Sequence, residues 1–187
     1  MDVRQAIEDR RSIRRFLPRD VEQEKIMQLL QAARLAPSAK NRQNWKFMVL
    51  RGEVKRQVAR ALDAALDAGD IEVKNHPKSG RMSAHVMGKA PVVLLAFLEM
   101  DEEWRDGDML SLGGAMEHIC LRAMELGLGT VWVRDTMYAG EEICRIVGHP
   151  ELFLVTALVV GYPDQEPPMR PRKTLEEIIL PAPEQEE

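Results

Sequence analysis

Two uninterrupted apolar runs, Ala90–Leu98 and Leu152–Val160, constrain this chain most. Each is nine residues long. A helix crossing a bilayer needs about 20 such residues, so neither run spans one. Continuous hydrophobicity over so short a stretch, with Val or Thr in its middle, reads as a strand covered on both faces. Pro91–Leu98 is therefore expected to be a buried strand, and Phe153–Val160 is expected to be a strand as well.

Residues 2–10 read as a short helix with Val3, Ala6 and Ile7 on one face. Val21–Leu35 carries Ile26, Leu29, Leu30 and Ala33 at the 3.6-residue period, with Asp20 as the expected N-cap and Pro37 beyond its end. Trp45–Leu50 reads as a strand and Glu53–Leu66 as a helix. A polar connector is expected over residues 67–81, then a short helix at Met82–Met87. A charged loop, Glu99–Asp108, holds Trp104. The strongest helix is Met109–Leu126. Its Met109, Leu112, Met116, Ile119, Ala123 and Leu126 form an apolar seam that wants a partner. Gly113-Gly114 weakens that helix and suggests close approach of another backbone, in the core or across a dimer. Gly127-Leu-Gly129 ends the helix. Thr130–Val133 reads as a strand and Glu141–Val147 as a helix. Gly161-Tyr-Pro163 stops the last strand, and a short segment is expected at Leu175–Ile179. The alternation indicates an α/β or α+β fold, in one domain over residues 1–180, with a frayed tail at 181–187.

The whole chain has 187 residues, enough for one domain with a sizeable core. At 45% hydrophobic and 30% charged residues it is neither collagen-like, disordered nor a disulfide scaffold. The net charge of −4 hides an asymmetry. Residues 1–60 hold 15 Lys/Arg and 7 Asp/Glu; the remainder holds 11 and 23. A basic front half asks which anion it meets. A dedicated nucleic-acid binder does not fit a pI near 5.7. The arginines are also interleaved with apolar residues, as a folded segment requires. The two cysteines, Cys120 and Cys144, form no C-x-x-C pair. They read as buried thiols of a reducing compartment. Met1-Asp2-Val3-Arg4 opens a charged helix without an apolar signal segment, so a cytoplasmic protein without membrane attachment is expected.

Familiar catalytic motifs are absent. The sequence has no G-x-x-x-x-G-K-[ST], no G-x-G-x-x-G after an early strand, no H-E-x-x-H and no G-x-S-x-G. No metal site is expected. Three clusters remain. Arg10-Arg11-Ser12-Ile13-Arg14-Arg15-Phe16 puts several guanidiniums and a hydroxyl within a few residues. That set suits a phosphate or carboxylate, or else a solvated helix end. Ala36-Pro37-Ser38-Ala39-Lys40-Asn41-Arg42-Gln43-Asn44-Trp45 offers amides that donate and accept. It suits the edge of a heteroaromatic ring, or an ordinary turn before a core Trp. Arg170-Pro171-Arg172-Lys173 is a basic knot in an acidic C-terminal half, either functional or a surface patch.

In this order, the clusters resemble the nitroreductase family of FMN-dependent oxidoreductases. Glu125-Leu-Gly127-Leu-Gly129-Thr-Val-Trp132-Val133 is similar to that family's helix-to-strand turn, and Val159-Val-Gly161-Tyr-Pro163 to its last strand. The resemblance covers residues 10–173. It implies an α+β fold, a nitroreductase-like mixed central sheet flanked by helices. It also implies a homodimer with FMN sites at the interface, built around the Met109–Leu126 helix. By the same resemblance, Arg10, Arg11, Ser12 and Arg14 hold the FMN phosphate and ribityl chain, and Arg170 and Arg172 close on the phosphate. Pro37, Ser38, Ala39, Asn41 and Gln43 come from the partner subunit. Trp132, Val133 and Arg134 lie along the isoalloxazine. Asn44 stands where Pro is common, and Arg134 where Gly is common.

The implied activity is NAD(P)H-dependent. Hydride passes from NADH or NADPH through flavin N5 to a nitroaromatic, quinone or similar small-molecule acceptor by ping-pong turnover, without a catalytic side chain. Other flavin reactions (reductive dehalogenation, enoate reduction, flavin destruction) and a non-enzymatic FMN-binding role are the alternatives. The loops 67–81 and 99–108 are expected to set specificity, with Trp104 stacking on an acceptor or anchoring its loop.

Overall fold

The structure is a computed structural model and describes residues 1–67 and 77–182. Its elements in chain order are α1 (Val3–Asp9), α2 (Gln23–Arg34), β1 (Trp45–Leu50), α3 (Gly52–Asp67), α4 (Pro77–Lys89), β2 (Val92–Leu98), α5 (Arg105–Glu125), β3 (Gly129–Val133), α6 (Gly140–Ile146) and β4 (Phe153–Gly161). The strands form one sheet in the order β1-β2-β4-β3. The two apolar runs are β2 and β4, the central pair, and every residue of β2 is buried. All three strand pairings are antiparallel. The parallel component is confined to a bridge between Ser12 and Thr130 at the β3 edge.

Side-chain alternation divides the interior into two layers. Val92, Leu94, Ala96 and Leu98 of β2 face α2 and α5; Val93, Leu95 and Phe97 face α3, α4 and α6. A bulge lies where Ala96 pairs with Thr156 but Phe97 pairs with Leu154. The extra β4 residue reverses that strand's alternation. Leu158 and Val160 face the α2–α5 layer, and Val155 does so beyond the bulge. The result is the expected α+β arrangement, a sheet covered on both faces.

Several boundaries differ from the sequence reading. Asp20 does not cap α2; the helix opens after Glu22, whose side chain makes no cap bond. The Glu22 carboxylate instead accepts the Tyr162 hydroxyl at 2.6 Å and Arg19 Nη2 at 2.9 Å. The Tyr162 hydrogen bond is the main reason its pKa is held down to about 2. The expected short helix at Met82–Met87 is the longer α4, which absorbs the end of the polar connector. Residues 68–76 of that connector, and 183–187 of the expected frayed tail, lie outside the described residues. The loop expected over Glu99–Asp108 ends at Trp104, because Asp106 and Asp108 sit favourably in the first turn of α5. The short segment expected at Leu175–Ile179 contains a turn.

The seam of α5 has its partner inside the chain. Leu112, Met116, Ile119 and Ala123 are buried in the α2–α5 layer, with Met109 and Leu126 packed against it. They are therefore not a free dimer face. The opposite face is open: Leu110 is 79% exposed, and nothing lies within 4 Å of a Cβ placed on Gly113 or Gly114. Among the described residues, no backbone makes the close approach those glycines suggest.

Cys120 and Cys144 are buried and free. Burial pushes the Cys120 thiol up to about 11. Among the described residues, no helix is long and apolar enough to cross a membrane.

The turn from α5 to β3 shows why glycine stands at both positions. Gly127 adopts φ +69°, and the bonds Leu128 N to Ala123 O (2.8 Å) and Gly127 N to Met124 O (3.1 Å) make a Schellman ending. Gly129 has ordinary φ but no room: a Cβ there would lie 2.6 Å from the Ile13 side chain. Ile13 N also donates to Thr130 O at 2.8 Å. The missing side chain thus lets the arginine segment lie against the sheet. Gly129→Ala is expected to cost about 1–3 kcal/mol by overpacking, read as a lower midpoint in urea unfolding.

Candidate flavin site

The backbone of residues 12–16 runs along one end of the sheet. Ser12 bridges Thr130 in β3, and Phe16 bridges Pro163 just after β4. Leu17 N donates to Tyr162 O at 2.9 Å, and Asp164 N to Arg15 O at 3.0 Å. Phe16 fits against Gly161, where a Cβ would approach its ring to 2.8 Å. These contacts lace the N-terminal arginine segment to the start of the C-terminal tail. The two basic clusters, 160 residues apart in sequence, become neighbours for that reason.

Their meeting forms a cleft of about 510 Å³. Arg10, Arg11, Ser12 and Arg14 line one side; the tail from Pro167 to Arg172 lines the other. Five arginines therefore face this space, and among the described residues no carboxylate lines it. Arg10 has a distant partner, Glu117 of α5, at 3.5 Å. Arg11 Nη1 donates to the carbonyls of Glu8 (2.7 Å) and Arg10 (2.9 Å), tying it to the end of α1. Arg11 Nε is buried without a hydrogen-bond partner. A buried, unpaired guanidinium nitrogen is costly unless an acceptor meets it. A dianionic phosphate is an acceptor of the right charge and geometry.

A second cleft, of about 250 Å³, adjoins the first, and Arg14 lines both. Val131, Trp132, Val133 and Arg134 form one side and α4 the other, with Met82, Ser83 and Val86. Trp132, on the edge strand β3, is 43% exposed beside this opening. Asp135 is the one carboxylate in the lining, and it accepts the Ser83 hydroxyl at 2.6 Å. The α4 contribution was invisible in the sequence, where those residues read only as helix.

The third cluster lies elsewhere. Pro37, Ser38, Ala39, Asn41 and Gln43 line neither cleft. They precede β1 and pack beside the start of α5, where Ala39 N donates to Ser111 Oγ at 3.0 Å. Lys40, Asn41 and Gln43 all have positive φ, at 51°, 57° and 49°. Three non-glycine residues in that region mark a strained segment that its surroundings must hold. Ser38 Oγ accepts Gln43 N at 3.1 Å, and Gln43 Nε2 donates to Asn41 Oδ1 at 3.0 Å.

Sequence reasoning missed the anchor beneath this segment. Asp108, 3% exposed, accepts Arg42 Nε at 3.1 Å, Arg42 Nη2 at 3.2 Å and Asn44 Nδ2 at 2.7 Å. Arg42 also donates to Asp101 at 2.8 Å and lies 5.1 Å from the Trp104 ring centroid. Its hydrogen bonds to the Asp108 carboxylate raise the Arg42 pKa. Asn44, standing where proline is common, thus exchanges a rigid turn for a bond to the same buried carboxylate. Trp104 itself stands at the start of α5, beside Arg42.

Comparison with known proteins follows the same lines. The nitroreductase family profile matches residues 7–162. An NADH dehydrogenase of Thermus thermophilus is 27% identical over 205 aligned positions, covering 96% of each chain. An iodotyrosine deiodinase of Thermotoga neapolitana is 29% identical, covering 91% of this chain and 92% of its own. A Desulfovibrio desulfuricans protein, solved in complex with FMN, superposes with a TM-score of 0.78 at 28% identity, covering 98% of each chain. With the fold, the profile and these relatives in agreement, the chain belongs to the nitroreductase family.

Proposed function

We propose that this protein is an FMN-dependent oxidoreductase that takes hydride from NADH or NADPH and delivers electrons to nitroaromatics, quinones or similar acceptors. The observation that carries it is the five-arginine cleft without a carboxylate, joined through Arg14 to the cleft beside Trp132. The residues fit the cofactor. The buried, unpartnered Arg11 Nε supplies a donor for the FMN phosphate, and Ser12, Arg10, Arg170 and Arg172 complete its surroundings. Trp132, Val133 and Arg134 would flank the ring system.

FMN, when bound, supplies the hydride-accepting and electron-donating centre. The chain's own contribution is positioning and charge. Arg14, common to both clefts, and Arg134 of the second are the cations available to a ring edge that gains negative charge on reduction. Asp135 is engaged by Ser83, so the lining offers no free acid and protons come from solvent. Pro37, Ser38, Ala39, Asn41 and Gln43 serve the flavin of a second copy, held ready by the Asp108 anchor. A homodimer is consistent with the open α5 face and with exposed Val3, Ile7 and Leu35 nearby. The two buried free thiols accord with a reducing cytoplasm.

One open ring face used in turn by donor and acceptor requires ping-pong turnover. Anaerobic NADH or NADPH is expected to bleach the flavin spectrum of the holoprotein, and adding acceptor to restore it. Initial rates at varied donor and acceptor should give parallel double-reciprocal lines. A bound flavin that neither nucleotide reduces would leave an FMN-binding protein without this activity. Parallel assays with a nitroaromatic, a quinone and an iodinated phenol identify the acceptor class.

A further inference from the structure

The basic residues of α3 remain outside this account. Arg56 and Arg60, one turn apart, face α4 across a third open cleft of about 480 Å³. On α4 the cations Arg81 and Lys89 and the His85 ring repeat at four-residue intervals and line the same cleft. Like charges stacked this way along helix faces are unfavourable on their own. The floor between the walls is made of small residues. Ala59, Ala84 and Gly88 line it, and a Cβ on Gly88 would sit 3.7 Å from that of Ala59. The helices therefore approach closely, and the long basic side chains rise on both sides of a shallow trough.

Charge in the cleft is incompletely balanced. Glu53 is shared by Arg56 (2.8 Å) and Arg60 (2.6 Å), so one carboxylate serves two guanidiniums. Arg81 pairs with Asp67, and Asp63 lines the wall. Among the described residues, no carboxylate lies within ion-pair distance of His85 or Lys89. An excess of positive charge remains over a floor that leaves room for a compact anion.

We propose that the cleft between α3 and α4 binds a phosphomonoester dianion. Guanidiniums grip phosphate oxygens in bidentate fashion, and Lys89 adds a point charge. The site lies on one face of α4, while Met82, Ser83 and Val86 of the same helix line the cleft beside Trp132. Two sources carry this chemistry: the 2′-phosphate of NADPH, reaching over α4, or a separate phosphorylated small molecule. The site does not depend on the flavin reading, since none of its residues lines the arginine cleft near Ser12.

The test uses flavin-loaded protein, whose own phosphate site is filled. Inorganic phosphate and 2′-AMP are each expected to raise the melting temperature above that in chloride of equal ionic strength. Lys89→Gln and Arg60→Gln should abolish that rise while flavin content stays at the wild-type level. If KM for NADPH also rises about tenfold in these variants and KM for NADH stays unchanged, the dianion is the 2′-phosphate. If protection is lost with both KM values unchanged, it is a separate phosphomonoester. Wild-type melting that responds equally to phosphate, 2′-AMP and chloride would overturn the proposal, as would full protection in both variants. Protein that holds no flavin fails the functional reading instead, and its response to phosphate still decides this site once Arg170→Ala has been used to weaken the other.

Discussion

Arg14→Ala should weaken FMN binding by about 10- to 100-fold and leave the apoprotein's stability nearly unchanged. The size follows from losing one charge-assisted hydrogen bond to a phosphorylated cofactor, about 1.5–3 kcal/mol. The selectivity follows from Arg14's surroundings. Its side chain is exposed, and among the described residues its one internal bond, to Ser12 O, is long at 3.5 Å. Nothing in the fold leans on it. Yet it lines both clefts, so it alone can serve the phosphate end and the ring end of one ligand. Calorimetric titration of apoprotein with FMN measures the loss. An affinity within twofold of wild type would remove Arg14 from the site. Arg11→Ala is the less clean variant, because Arg11 also ties down the end of α1 through Glu8 and Arg10 carbonyls.

Asp108→Ala should act in the opposite order, on stability first and on flavin second. Its carboxylate is buried and is the shared acceptor for Arg42 and Asn44. Removing one partner of a buried pair leaves the others desolvated and unpaired. Arg42 keeps Asp101 and is partly exposed, so the cost is set near the low end, about 3 kcal/mol. For a chain of this length that lowers Tm by about 6–12 °C. Freed from its anchor, the segment from Lys40 to Gln43 can relax out of its three positive-φ positions. FMN affinity should then fall as well if that segment serves the flavin of a second copy. Asp108→Asn, which keeps one acceptor oxygen, should recover part of both losses. An unchanged Tm in Asp108→Ala would show that the network does not hold the segment.

The elements were largely legible because the two apolar runs have the length and composition of buried strands, and because helix periodicity is strong in α2 and α5. What misled was the use of a seam. The spacing of Leu112, Met116 and Ile119 shows that α5 has an apolar face, but not whether α2 or a second chain covers it. Helix ends were harder. Asp20 is a good N-cap type, but Glu22 is drawn instead to Tyr162, 140 residues away. The arginine clusters could be listed from sequence, whereas their convergence rests on backbone bonds between residues 12–17 and 162–164 that no local pattern announces. The Asp108 anchor was hidden for the same reason. A lone aspartate in a charged loop gives no sign that it will be buried beneath Arg42 and Asn44.

The proposed activity requires the arginine cleft to hold FMN. The most direct measurement is a titration of apoprotein with FMN, followed by flavin absorbance and by the melting temperature. The structure predicts saturation at one FMN per chain, a rise in Tm with cofactor concentration, and weaker binding of riboflavin, which lacks the phosphate. Protein that stays colourless, with no change in Tm at any FMN concentration, would contradict it, and so would equal affinity for FMN and riboflavin.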